Sequence, residues 1–307
     1  MRRVESWHLS NSAKVILALT AVYVVWGSTY LAIRFAVETI PPFFMAGVRF
    51  FIAGAVLYAW LRMRGAPPPT PTHWKSMSII GILLIGGGNG AVSWAEQTVP
   101  SGLTALIIAL VPLWFVTIEW MQTRERPTAK VLIGLLLGFI GMIVLIDPAR
   151  ITEGGHVDPI GTTVIAVGTL AWAAGSMYSR TAEHPTRPLL GTAMQMLAGA
   201  ALLLIVSAFS GELFGISFSA MSRASLISLG YLIVFGSLIA FTAYIWLLRA
   251  APPAQVSTYA YVNPIIAVFL GWLLADELLN MRIVIATVII VAAVAIITVA
   301  RNRKNGA

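Results

Sequence analysis

Residues 14–35 read Lys14-Val-Ile-Leu-Ala-Leu-Thr-Ala-Val-Tyr-Val-Val-Trp26-Gly-Ser-Thr-Tyr30-Leu-Ala-Ile-Arg34-Phe35, with no charge between Lys14 and Arg34. At 1.5 Å per helical residue, such a run crosses a hydrocarbon core about 30 Å thick, which needs about 20 residues. It is too long for the apolar core of a signal peptide, so a retained first membrane helix is expected. Comparable runs recur at 42–62, 75–97, 100–121, 130–147, 158–181, 188–209, 222–248, 254–275 and 281–300. The breaks between them are chemically explicit. Pro41-Pro42 precedes the second run, Gly65-Ala66-Pro67-Pro68-Pro69-Thr70-Pro71 follows it, Asp147-Pro148 ends the fifth, and Pro252-Pro253 precedes the ninth. The expected fold is an all-α polytopic membrane protein of ten transmembrane helices.

The bulk composition agrees. Of 307 residues 58% are hydrophobic and 10% charged, and the mean hydropathy is +0.86. A water-soluble domain carries about 25% charged residues, so a soluble enzyme, a nucleic-acid-binding domain and a disordered chain are excluded. Outer-membrane barrels alternate in polarity along strands of about ten residues, a pattern absent here. The chain contains no cysteine, which removes disulfides, thiolate metal sites and Cys nucleophiles.

The net charge of +8 follows from topology. With the N-terminus placed in the cytoplasm, fifteen of the 20 Lys and Arg residues fall on the cytoplasmic side, four on the other, and Arg49 lies within a span. By the positive-inside rule both termini are expected in the cytoplasm. Contact of these residues with anionic lipid accounts for the basicity, and no nucleic-acid partner is needed.

An internal repeat divides the chain into 14–147 and 158–300. Trp26 aligns with Trp172, Pro42 with Pro188, Arg49 with Gln195, Pro112 with Pro264 and Glu125 with Glu277. Each half holds five helices. Because five is odd, the second half enters the membrane from the opposite side, giving two inverted five-helix repeats. Inverted repeats that rock about a site at their seam are a recurrent design of secondary transporters.

Trp26-Gly27-Ser28-Thr29-Tyr30, Ala46-Gly47-Val48-Arg49-Phe50, Gly88-Asn89-Gly90, Val99-Pro100-Ser101-Gly102 and Ala260-Tyr261-Val262-Asn263-Pro264 resemble motifs of the drug/metabolite transporter superfamily. More specifically, they resemble its ten-helix EamA-type exporters of the bacterial inner membrane. The resemblance covers about 14–300. It implies a central cavity and export of amino acids, other metabolites or drugs, without naming a substrate. The Leu-Gly-Glu often seen after the fourth and ninth helices of that family reads Thr123-Arg124-Glu125 and Ala275-Asp276-Glu277 here, so those turns are given no transport role.

Several residues are candidates for the site. An arginine inside a span costs several kcal/mol unless it is paired or faces water, so Arg49 is either a cavity cation that binds a carboxylate or a structural, snorkelling residue. Trp26 and Trp172 lie too deep for an interfacial belt. With Tyr30, Tyr178 and Tyr259 they could wall a cavity for amphipathic or aromatic compounds. Pro112 and Pro264 at matched mid-span positions suggest hinges. Asn263 and Asn89 add polar groups at depth, and Gly86-Gly87-Gly88-Asn89-Gly90 is poor helix-forming sequence. Glu96 and Glu119, each near an end of its span, are either solvated or ion-paired end residues or acids for proton coupling. The first, third, fourth, sixth, eighth and ninth spans are expected to line the cavity. No metal motif, ATP-binding loop or catalytic constellation is present, so no cofactor, metal or enzymatic activity is expected. The expected partners are a small-molecule substrate and the lipid bilayer, with the monomer as the functional unit. A channel or small-molecule receptor remains the alternative.

Overall fold

Proline starts helices in this chain. Pro42, Pro71, Pro159 and Pro188 each occupy the first turn, where the missing N–H has no intrahelical partner to lose. Ser10, Thr70, Asp158 and Ser222 cap helix starts by accepting backbone N–H groups. The computed structural model describes residues 10–99, 101–146, 158–275 and 281–302. Arg2, Arg3, His8, Pro100, Asp147-Pro148, His156, Asp276-Glu277, Arg303 and Lys304 lie outside the described residues.

The rods, in chain order, are α1 (Asn11–Val37), α2 (Pro42–Met63), α3 (Pro71–Ala95), α4 (Ser101–Ile108 and Val111–Thr123), α5 (Ala129–Ile146), α6 (Pro159–Thr181), α7 (Pro188–Phe209), α8 (Arg223–Ala250), α9 (Pro253–Val256 and Tyr259–Ala275) and α10 (Met281–Asn302). Among the described residues, eight of them have the length and hydropathy of a membrane span, and Ala129–Leu145 is a shorter apolar helix. No strand occurs among the described residues. The fold is the expected all-helical polytopic one, with ends shifted by a few residues. The third span begins at Pro71 rather than 75 because the Thr70 cap and Pro71 fix its first turn.

Packing follows the repeat. Helix α2 lies along α7 and α5 along α10, which are corresponding helices of the two halves. Helix α1 crosses α8 and α9, and α6 crosses their counterparts α3 and α4. Close approach relies on glycine. A Cβ on Gly81 of α3 would collide with the carbonyl oxygen of Gln195 on α7, and one on Gly199 would lie 2.5 Å from Ile85 Cβ. Gly134 and Gly138 serve internal packing, against Ile297 and Tyr261 respectively.

Two stretches depart from α-helical winding. Ile82–Asn89 in α3 and Leu232–Phe241 in α8 are π-helical and occupy corresponding places in the two halves. Each such turn inserts a residue into the ladder and redirects the side chains around it, often at functional sites. The glycine run signals the first. The second, Leu-Ile-Val-Phe-Gly-Ser-Leu-Ile-Ala-Phe, has no such run and reads as an ordinary apolar helix.

Candidate functional site

Beside the two π-helical stretches, where Trp26 of α1 meets Trp172 of α6, lies a cavity of about 720 Å³, a volume that includes open solvent. The walls come from both halves: Trp26, Thr29, Tyr30 and Ile33 of α1, Arg49 and Phe50 of α2, Gly88, Asn89 and Val92 of α3, Ile108 and Val111 of α4, then Gly168, Thr169 and Trp172 of α6, Gly236 and Phe241 of α8, and Tyr259 and Asn263 of α9. Helix α2 therefore joins the six lining helices expected from sequence. In α1 and α3 the lining residues occupy the second half of the helix, and in α2 and α4 the first. Phe241 of α8 and Tyr259 and Asn263 of α9 lie toward the other end of their helices, so the cavity occupies the middle of the bundle.

Three of the lining residues, Trp26, Trp172 and Tyr259, belong to an aromatic layer completed by Tyr244. Trp26 packs edge-on to Trp172 and Tyr259, with ring centroids 5.6 and 5.2 Å apart, and tilts onto Tyr244 at 5.0 Å. Tyr244 in turn contacts Trp172 at 5.3 Å and Tyr259 at 5.6 Å. The geometries are the edge-to-face and tilted ones that aromatic quadrupoles favour. Polar edges lock the layer. The Trp172 indole N–H donates to the Tyr244 hydroxyl at 2.8 Å, which also bonds Ser176 at 2.6 Å, and the Trp26 indole N–H donates to the Gly236 carbonyl at 3.2 Å. Tyr244 escapes sequence reading because nothing distinguishes it from the apolar run Ile245-Trp246-Leu247-Leu248 that follows it.

Arg49 is 4% exposed and faces the cavity wall rather than snorkelling. Its Nε donates to Ser237 Oγ at 2.8 Å, and its guanidinium carbon stands 4.6 Å from the centre of the Phe50 ring. Both contacts are with neutral groups. Gly236 makes room for the charge, since a Cβ there would sit 2.6 Å from Arg49 Nη2. Sequence reading finds the arginine but not Gly236 or Ser237, because only the fold brings α8 against α2. Gln195, its repeat partner, is fully buried and donates to the Met77 sulfur at 3.3 Å, so the cation has no counterpart across the repeat.

Asn263 is 2% exposed, and with its amide turned so that the nitrogen faces the two carbonyls it donates to Tyr259 at 3.1 Å and Tyr23 at 3.3 Å, which would tie α9 to α1. Asn89 reaches the Leu84 carbonyl only at 3.5 Å. Pro112 stands in the first turn of the second piece of α4, just after the break at Ala109–Leu110, whereas Pro264 lies inside the continuous Tyr259–Ala275 segment. The matched prolines thus sit in different local settings, and the break in α9 falls earlier, at Ser257–Thr258. Tyr178 is not brought to the cavity; it lies on α6 nearly two turns beyond Trp172. Glu96 departs from the solvated end residue that the sequence suggests. One turn beyond the lining residue Val92, its Oε1 is buried without a hydrogen-bond partner. Among the described residues no cluster of His, Cys, Asp or Glu could hold a metal ion.

Residues 13–146 and 159–299 each match the family described as EamA-like transporter family. The chain is 39% identical over 291 residues to the uncharacterized inner membrane transporter YedA of Escherichia coli K12, covering 92% of this chain and 90% of that protein. It is 23% identical over 296 residues to the uncharacterized transporter YoaV of Bacillus subtilis, covering 95% and 99% respectively. A solved crystal structure superimposes with a TM-score of 0.76 at 24% identity, covering 96% of this chain and 99% of that one.

Proposed function

The chain belongs to the EamA-like transporter family, and on that premise we propose that it is a secondary exporter that moves small metabolites, amino acids or amphipathic and aromatic compounds among them, by alternating access. The observation that carries this reading is a cavity built from both halves and walled in part by the Trp26–Trp172–Tyr244–Tyr259 layer. Rocking the halves would part that layer and close the mouth, exposing the same residues to the other face. Trp26, Tyr30, Arg49, Asn89, Trp172, Tyr259 and Asn263 contact the substrate in this scheme, Tyr178 lies along its exit, and Pro112 and Pro264 serve as hinges. The unit is a monomer in the bacterial inner membrane with both termini in the cytoplasm. Under that orientation the α1–α2 turn faces outward. Transport draws on a gradient or on exchange, with no cofactor.

Counterflow in proteoliposomes tests the mechanism. A carrier preloaded with unlabelled substrate accumulates labelled substrate transiently, and a channel does not. Arg49→Ala is expected to abolish counterflow while the protein still inserts. Equilibration without a transient overshoot would refute alternating access.

A further inference from the structure

The cavity has one charge and no answer to it. Among the described lining residues Arg49 is the sole ionisable group with a formal charge at neutral pH, and no Asp or Glu joins it. A guanidinium carries five N–H donors, of which only Nε is engaged, by Ser237. An uncompensated buried charge costs several kcal/mol. The ring of Phe50 and the hydroxyl of Ser237 are neutral and offset only part of that cost. Apart from the neutral polar side chains Thr29, Asn89, Thr169 and Asn263, the rest of the wall is apolar or aromatic, with Phe50, Val92, Ile108, Val111, Phe241 and the Trp26–Trp172 edge. Such a wall desolvates a flat hydrophobic body and offers no carboxylate to an ammonium group. Glu96 lies one turn outside it, near enough to act on the lining Tyr30 but not on Arg49.

From this we infer that the substrate is a small apolar or aromatic monoanion, a carboxylate in its simplest form, whose acidic group engages the free Nη edge of Arg49 while its body fills the apolar cavity. The inference rests on the transport reading and narrows it, selecting acids without an ammonium group over zwitterionic amino acids and cationic drugs. A planar guanidinium suits a two-oxygen acceptor in bidentate geometry, and the missing countercharge is supplied only while substrate is bound.

The test uses the full-length protein in detergent and four probes sharing one ring: 3-phenylpropionate, its neutral amide, phenylalanine and 2-phenylethylamine. Binding is read by thermostabilisation at about pH 8, where the carboxylate is ionised and the amine protonated. The acid is expected to bind at least about tenfold more tightly than the amide and than phenylalanine, as a charge-assisted hydrogen bond implies, and the amine not to bind. Arg49→Gln should bring the acid down to the level of the amide, and Arg49→Lys should retain part of the difference. If Arg49→Gln does not fold, the order among probes on the unaltered protein decides. Failure of the acid to bind, or binding of the amide, phenylalanine or the amine as tightly as the acid, would overturn the inference. Counterflow of the acid separates the two claims, because tight binding without exchange upholds the ligand class and defeats the transport reading.

Discussion

Gly236→Ala perturbs the site through a single methyl group. The new Cβ would stand 2.6 Å from Arg49 Nη2 and 3.3 Å from both Arg49 Cζ and Thr29 Cγ2. Ordinary contact lies near 3.5–4.0 Å, so the guanidinium must retreat by about 1 Å. That movement pulls Nε from Ser237 Oγ, now 2.8 Å away, and turns the Nη edge from the cavity. Loss of one charge-assisted hydrogen bond costs about 1.5–3 kcal/mol, which is about 10- to 150-fold in affinity for an anionic probe. Breaking the buried Arg49–Ser237 bond should also lower stability by about 1–3 kcal/mol, a loss that two factors partly offset. The clashing atom is the tip of a flexible side chain, and alanine is preferred over glycine inside a helix by about 0.5–1 kcal/mol. The assay is 3-phenylpropionate binding alongside the melting temperature. Gly230→Ala on the same helix, where a Cβ meets nothing within 4 Å, serves as the control. If Gly236→Ala bound the probe as tightly as Gly230→Ala, the guanidinium would not be the group that reads the ligand.

Other perturbations probe the scaffold. Gly81→Ala drives a Cβ into the Gln195 backbone, which cannot turn aside, so a loss of about 1–3 kcal/mol or more is expected; an unchanged melting temperature would contradict the α3–α7 contact. Tyr244→Phe strips the acceptor from the Trp172 indole N–H and, by orphaning a buried donor, should cost about 1–3 kcal/mol, visible as a lower melting temperature. Asn263→Cys, in a chain without cysteine, should react with a membrane-impermeant maleimide from one side only and be protected by bound ligand; no reaction from either side would remove Asn263 from the cavity. His184, in the α6–α7 connection, is held below its ordinary value of 6.5 by burial, despite its 2.7 Å bond to the Ser179 carbonyl. The unfolded chain then takes up the proton first, so the stability this neutral histidine contributes is complete above about pH 6.5 and falls as the pH drops below it. His184→Gln should flatten that part of the stability profile.

Local chemistry fixed most of the architecture in the amino-acid sequence. Span positions follow from hydropathy summed over about 20 residues, and helix starts from Pro42, Pro71, Pro159 and Pro188. The repeat is visible because Trp26, Pro42 and Pro112 have counterparts in Trp172, Pro188 and Pro264. Arg49 stood out because a charge inside an apolar run has a cost wherever it points. Which side each helix turns toward the seam was decided only by the tertiary structure. A helix apolar on all sides has no polar stripe to orient it, so Tyr178 and Trp172 look equivalent in sequence, yet only Trp172 reaches the cavity. The same holds for Gly236, Ser237 and Tyr244, whose roles arise from partners nearly 70 to 190 positions away. Residue types and their spacing therefore determined a two-part membrane bundle carrying one buried cation, whereas the rotation and π-helical winding of α3 and α8 decided that this cation meets a cavity instead of a countercharge.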